Sequence, residues 1–482
     1  MKDGSILNGP DSVTPVIGGI VEMVKDAYGF WERQRTYSFP GLSWHSIVGV
    51  FTIFVTDPQI SRHVFNNNSK DTVLLALHPS AKNILGASNI AFLHGPNHKL
   101  IRKSFLALFT RKALAMYVMK QDQIICDHLG KWLDSLGSTD SAQGKTTEVR
   151  TLVRDLNAWT SQEVFAGPYL DDDETRTKFG KAYMAMTDAF LGLPICLPGT
   201  SVWKGYKGRM FIIKVLSKAA SRSKARMAAG HEPECLLDFW SQQVLTDMKE
   251  AEAQGVPAPW YSSDHKMADT VMDFLFASQD ASTASLVWTI TQMAEHPEMF
   301  AKVRAEQQRL RPNLDAPFTG EELNQMTYTR QVIKEVLRFK PPAPMVPHLV
   351  QKDFPLTENY TAPKGSLVVP SVWAACMQGY EDAERFDPDR FSPERQEDVK
   401  FAPNFLVFGH GPHYCVGKEY AQNHLTAFLA RLASSVDFQR VRSKVSDDVI
   451  YLPTLYPGDS VFSFKWSSPT ARGACAKNAP AK

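Results

Sequence analysis

The chain has 482 residues, 44% of them hydrophobic and 22% charged, with a net charge of +2. This is an ordinary globular composition, long enough for about three domains or one large core. The near-zero charge argues against nucleic acid as a main partner, and six scattered cysteines with no CxxC pair argue against a disulfide framework or zinc site. No window reaches the ~18 apolar residues that span a bilayer, and neither a signal peptide nor a transit peptide is visible.

Residues 1–20 are polar and carry Pro10, Pro15 and Gly18-Gly19, which reads as a hinge entering a domain. The apolar run Ile47 to Val55, closed by Asp57-Pro58, predicts strands followed by a short helix. Residues 71–95 show no clear period and read as a loop. His98 to Arg102 opens a basic amphipathic helix predicted to run to Arg111-Lys112, with His98 and Arg102 on one face. Such a face is ordinarily solvated. Asp171 to Glu174 is a charge run without assigned function. Phe190-Leu191-Gly192-Leu193-Pro194-Ile195-Cys196-Leu197-Pro198, followed by Trp203, is too short to span a membrane; apolar loops of this kind usually meet something. Residues 251–263 read as a linker.

From Asp264 as N-cap to His296 before Pro297, the pattern predicts a helix of about 33 residues, roughly 50 Å long. Its middle is apolar nearly all round, which implies burial. Asp280 lies inside that stretch, where a carboxylate is costly unless hydrogen-bonded or chemically employed. Ser282 and Thr283 can simply bond back to their own helix. Thr319 with Glu322 forms a capping box opening a helix with Leu323, Met326, Ile333 and Leu337 on one face. Glu335 and Arg338 lie three apart on it, a spacing that is usually a weak surface ion pair. A second arginine, Arg390, follows in Phe386-Asp387-Pro388-Asp389-Arg390-Phe391.

Next comes Phe408-Gly409-His410-Gly411-Pro412-His413-Tyr414-Cys415-Val416-Gly417, ahead of a helix predicted over Lys418 to Ala433. A cysteine at a helix mouth sees free N–H groups and the positive dipole end, which favour a thiolate. Gly409 and Gly411 can take backbone angles closed to other residues. Three readings stand open on these residues alone: a ligand thiolate for haem, a buried structural cysteine, or a nucleophile served by His410 or His413.

The loop resembles the haem signature of the cytochrome P-450 superfamily, with His413 where most members carry a propionate-binding arginine. The resemblance extends over five ordered motifs from residue 98 to 417. It implies a mainly α fold with smaller β-sheets, one catalytic domain over 21–466, and haem b between the long helix and the cysteine helix. Cys415 would ligate the iron, with Phe408, Gly409, Gly411, His413, Gly417, His98, Arg102 and His348 around the cofactor. Glu335, Arg338 and Arg390 match the family's buried structural network. Asp280 corresponds to the proton-delivery acid; Ala281 replaces the usual threonine, so Ser282, Thr283 or ordered water would complete the relay. Phe274, Ala277, Ser278, Met345, Leu455 and Tyr456 would face the substrate.

Pro412-His413 and Phe-Ala-Ser-Gln-Asp-Ala-Ser-Thr in the long helix narrow the resemblance to the sterol C-22 desaturases. This implies O2, a sterol, and NADPH electrons through a flavoprotein reductase docking near Lys103, Arg111, Lys112 and Lys418. It also implies the cytosolic face of the endoplasmic reticulum, with the 190–203 loop dipping into the membrane and an anchor preceding the hinge. Other sterol oxygenases, a 14-alpha-demethylase or a side-chain hydroxylase, share every motif except those two. A haem-binding sensor or carrier is the rival from another class. The polar tail 467–482 is expected to be disordered.

Overall fold

The computed structural model describes residues 7–480 except 39, 78, 137–144, 171 and 452–453. Helices dominate, with four small sheets among the described residues. The central helix, Asp264–Glu295, starts where the Ser263 side chain accepts the Lys266 N–H and stops before Pro297. It packs against helices Val149–Ala166, Ser201–Ala228 and Lys418–Ser435. Its first half, Met267 to Leu275, enters one apolar core with Phe105, Tyr117 and Trp240. Its second half, Ala284 to Met293, enters another with Val118, Phe428 and Phe462. Between the two cores, Phe276, Ser278, Asp280 and Ala281 are only half-buried and Ala277 is exposed. The gap in burial marks where a site can be.

The largest sheet runs Leu42–Ile47, Val50–Val55, Leu367–Pro370, His348–Val350 and Val73–Leu75 in spatial order. Its first hairpin turns on Val48 and Gly49, both at positive φ (51° and 73°), the backbone a two-residue hairpin needs.

Four expectations are corrected. The basic helix is not continuous: Gly95–Ser104 gives way to a 3-10 turn, Phe105–Phe109, before a new helix begins at Arg111. The 71–95 stretch carries a short strand, Val73–Leu75, and a one-turn helix, Ala81–Leu85. The capping box of Thr319 and Glu322 is present, but its helix ends at Gln325 and a second runs Thr327–Phe339. The Glu306 carboxylate makes that break by accepting the Tyr328 and Thr329 N–H groups at 2.8 and 2.9 Å. The tail is a helix, Pro469–Asn478, that buries Ala471, Ala474 and Cys475 and packs on helix Arg111–Leu136. The hinge is also more engaged than its composition suggests: Leu7 joins the core beside the first sheet, and Asn8 bridges to Ser43. Residues 1–6 and 481–482 lie outside the described residues. In the acidic run, Asp172 caps helix Asp173–Asp188 by accepting the Thr175 N–H.

Candidate active site

The cysteine loop is a tight coil held by its own backbone. Cys415 N–H donates to Phe408 O at 2.9 Å, and Tyr414 N–H to Gly411 O at 3.1 Å. Gly409 and Gly411 sit at φ +70° and +71°. A Cβ on Gly411 would stand 2.8 Å from Phe65 O, so both the angle and the close approach demand glycine. Cys415 is exposed, and helix Lys418–Ser435 begins just after it. Burial of its surroundings pushes the thiol up, while the Gly417 N–H, Arg102 and Lys418 pull it back. These three are the thiolate-favouring groups expected at a helix mouth.

Arg102 donates from Nη1 to Tyr414 O at 2.7 Å, tying the basic helix Gly95–Ser104 to the loop. Around it stand four histidines. His98 and His413 stack at 4.2 Å between centroids, and His94 lies 5.1 Å from His413. His348, almost fully buried, is fixed by Nδ1 against Val346 O at 2.8 Å. Burial, Arg102 and the neighbouring rings hold His98 at about 4 and His413 at about 3, so both stay neutral near pH 7. Burial likewise lowers His348 to about 4 and depresses His94. Nε2 of His98 and Nδ1 of His94 are buried without a hydrogen-bond partner. Two orphaned ring nitrogens beside the half-buried Arg102 guanidinium need a polar group to meet them.

Behind the loop, Glu335, Arg338 and Arg390 are wholly buried. Arg338 binds Glu335 at 2.7 and 2.8 Å and Arg390 binds it at 3.1 Å. Spare guanidinium donors reach the carbonyls of Cys376, Ala383 and Glu381, and Glu397.

On the central helix, Ala277 is the exposed residue and Ser278 shares a 2.7 Å hydrogen bond with Ser161. Asp280 is half-buried; burial pushes its carboxyl up, Arg154 draws it down and Asp188 raises it further. Gln279 Nε2 donates to Arg154 O at 2.8 Å, and Arg154 reaches Thr187 at 2.9 Å. Thr283 has its hydroxyl committed: it donates to Gln279 O at 2.8 Å and accepts from Asn157 at 2.9 Å. Ser282 lies about 200° round the helix from Asp280. Neither alcohol is free on the Asp280 face.

The structure brings together Cys415, Phe408, Gly409, Gly411, His413, Gly417, Arg102, His98 and His348. It does not gather the six residues expected to face a substrate. Phe274 is buried in an aromatic knot with Phe105 (4.9 Å), Phe109 and Phe165. Met345 and Leu455 share one small core, whereas Tyr456, next along the same strand, turns into another. The Pro453 start of that turn lies outside the described residues. His94 was missed; its i, i+4 relation to His98 is the signal that could have found it.

Residues 10–448 match the family model of Cytochrome P450. The chain belongs to the cytochrome P450 family. Cytochrome P450 710A2 of Arabidopsis thaliana is 42% identical over 461 residues, covering 95% of this chain and 91% of that protein. The C-22 sterol desaturases erg5 of Aspergillus fumigatus and ERG5 of Saccharomyces cerevisiae are 34% and 32% identical. Those alignments cover 94% and 97% of this chain and 88% and 87% of theirs. Among solved structures, retinoic acid bound cyanobacterial CYP120A1 superposes with a TM-score of 0.78 at 22% identity, covering 96% of this chain and 100% of that one. That likeness speaks for the fold.

A cytochrome P450 is a monooxygenase-type oxidoreductase whose haem iron takes a cysteine thiolate. The residues present fit such a group. Cys415 is accessible, with the Gly417 N–H, Arg102 and Lys418 placed to offset the burial that raises its thiol, and the orphaned nitrogens of His94 and His98 beside Arg102 suit acidic haem side chains. No Cβ placed on Gly409 or Gly417 would meet an atom within 4 Å. That leaves room for a flat face.

Proposed function

We propose that this cytochrome P450 is a sterol C-22 desaturase. The observation that carries the reading is full-length similarity to C-22 sterol desaturases. The neutral histidine cluster beside Cys415 supports it, because His413 belongs to one of the two sequence combinations that single out those enzymes.

In this reading Cys415 holds the haem iron, and Phe408, Gly409, Gly411 and Gly417 shape the bed beneath the ring. His98, His348, His413 and Arg102 hold the propionates; the histidines act as neutral hydrogen-bond partners and Arg102 brings the charge. When bound, haem supplies oxygen activation, driven by the electron-rich thiolate. Asp280 delivers protons. Its raised pKa keeps it a usable donor nearer neutral pH than a surface aspartate. Because Thr283 is committed and Ser282 faces elsewhere, ordered water carries the proton from Asp280. Ala277 and Ser278, at the gap between the two cores, border the substrate.

The net reaction balances. The sterol side chain gives up two hydrogens at C22 and C23, O2 takes them with the NADPH hydride and one proton, and two waters leave. Electrons arrive from NADPH through a flavoprotein reductase docking on the exposed basic face of Lys103, Arg111 and Lys112, with Lys418 behind. The 190–203 loop meets the endoplasmic reticulum membrane: Leu193, Ile195 and Leu197 are exposed at 75, 47 and 61%. No helix among the described residues is long and apolar enough to cross a membrane.

Turnover with reductase, NADPH and a side-chain-saturated sterol, read by product mass, tests the reading. Loss of two hydrogens with the double bond at C22 is expected. Gain of one oxygen would make the enzyme a sterol hydroxylase instead. Asp280→Asn is expected to cut turnover sharply at unchanged haem content.

A further inference from the structure

The tail helix Pro469–Asn478 takes no part in the proposed reaction, yet its first turn ends on a cavity of about 380 Å³. Helices Pro297–Leu310 and Lys418–Ser435 close the other sides. Arg304, Gln307, Arg311, Ser434, Ser467 and Ser468 supply its polar wall.

Arg311 and Gln307 are only 3% and 1% exposed. Nη1 of the first and Oε1 of the second are buried without a hydrogen-bond partner among the described residues. Their other polar atoms are committed. Arg311 Nε donates to Glu322 Oε1 at 3.3 Å, and Nη2 donates to Ala316 O. Gln307 Nε2 donates to Thr329 Oγ1 at 3.0 Å, and that hydroxyl gives its one proton to Glu306 at 2.6 Å, so the amide cannot turn over. The orphaned pair is therefore one donor and one acceptor. The guanidinium is also short of anions. Asp122 is committed to Arg431 at 2.6 and 2.8 Å, and Arg311 and Arg431 both lie over Phe318, at 3.9 and 4.9 Å. Burial and the like charge of Arg431 draw the Arg311 guanidinium down, with Asp122 and Glu322 opposing. On the tail side, Ser468 Oγ accepts the Ala471 N–H at 3.1 Å and keeps its own proton to give. Thr470, in the first turn, has an N–H with no acceptor within the helix, and the positive end of the dipole lies at the cavity wall. Ser434 gives its proton to Ala430 O at 2.8 Å, so its oxygen can only accept.

We propose that this cavity binds a proton-bearing phosphate group, as free phosphate or as a phosphate monoester. Its bare oxygens answer the orphaned Arg311 donor, the Ser468 hydroxyl and the start of the tail helix. Its P–OH answers Gln307 Oε1 or Ser434 Oγ. Sulfate has the same shape and charge but no proton to give, so it leaves Gln307 Oε1 unmet. A phosphate held there joins the tail helix to helices Pro297–Leu310 and Lys418–Ser435, and stabilises the folded chain by mass action. The site stands apart from the sterol reading and does not depend on it.

The test uses the haem-loaded full chain with inorganic phosphate, glycerol 3-phosphate and sulfate at one ionic strength. Titration calorimetry should show phosphate binding about tenfold or more tighter than sulfate, the worth of one hydrogen bond to a charged partner. Amide hydrogen exchange over residues 469–478 should slow in phosphate and stay unchanged in sulfate. Arg311→Met should weaken phosphate by about tenfold or more. Because losing a buried arginine can unfold the protein, Ser467→Asp is the second variant. Residue 467 is exposed, so a carboxylate there repels the anion from the cavity mouth and leaves the core intact. It should remove the phosphate response at parent-like haem content. No phosphate binding in the parent, or parent-like affinity in Ser467→Asp, would overturn the site. Sulfate as tight as phosphate would overturn the proton-bearing ligand. Glycerol 3-phosphate binding tighter than phosphate would assign the site to a monoester, and weaker binding would assign it to free phosphate.

Discussion

The Glu335–Arg338–Arg390 cluster and the histidines around Arg102 bury polar groups in opposite ways. In the first, one carboxylate lies between two guanidinium groups, and the remaining donors end on main-chain carbonyls or Glu397. In the second, Nδ1 of His94 and Nε2 of His98 end on nothing, and burial lowers the pKa of both rings. A closed network can only hold a shape. One with free valences is built to receive a partner. The first cluster is therefore scaffold and the second a binding face.

Breaking the closed network should do the most damage. Glu335→Ala leaves two fully buried guanidinium groups without their shared carboxylate. Removing one partner of a buried ion pair costs about 3–5 kcal/mol. Loss of soluble, haem-binding protein, or a large fall in thermal unfolding temperature, is expected; near-parent stability would mean the arginines find other acceptors.

A buried polar chain between two helices offers a pH test. His424 Nε2 lies 2.8 Å from Asn157 Oδ1, and Asn157 donates to Thr283, joining the cysteine helix to the central helix. Burial lowers His424 from 6.5 to about 4. The folded state therefore prefers the neutral ring, and this stability is complete above pH ~6.5 and drains away as pH falls towards ~4. Its full extent is about 3 kcal/mol. His424→Gln should flatten the acid limb of a stability–pH curve between those values. An unchanged acid limb would place the titration elsewhere.

Opening the second cluster should act on cofactor retention with little effect on fold. His98→Ala removes one orphaned nitrogen beside Arg102. A hydrogen bond to a charged group is worth about 1.5–3 kcal/mol, so haem should pass to an excess of apoglobin roughly ten or more times faster. His98→Trp, which restores a ring N–H, should recover much of that loss. Equal haem transfer from all three proteins would show that the site does not use this position.

These contrasts explain what the sequence could reveal. The cysteine loop was legible because its constraints are local: two glycines at positive φ, a helix mouth and a cysteine within ten residues. The central helix was legible from its period. Glu335 and Arg338 were visible as a pair, but their spacing alone suggested a surface ion pair; only the family resemblance implied their burial, since it depends on Arg390 and carbonyls far along the chain. His94 looked like part of a loop until folding set it against His413. The break at Met326 is imposed by Glu306, and Asp273 finds its partners near residue 90. The tail misled because alanine and cysteine at 471, 474 and 475 make an apolar stripe too thin to stand out by composition.

The capping box should give the smallest effect, and it is the control for the others. Thr319 Oγ1 accepts the Glu322 N–H at 3.1 Å, while Glu322 Oε2 accepts the Thr319 N–H at 2.8 Å. Thr319→Ala removes the first bond and keeps the second, so about 1 kcal/mol of stability should be lost. Arg311, which leans on Glu322 at 3.3 Å, stays in place. Haem retention should not move, because the box is closed on itself and faces solvent. Were haem loss to quicken here as much as in His98→Ala, retention would be following global stability, and the division between a closed scaffold and an open binding face would fail.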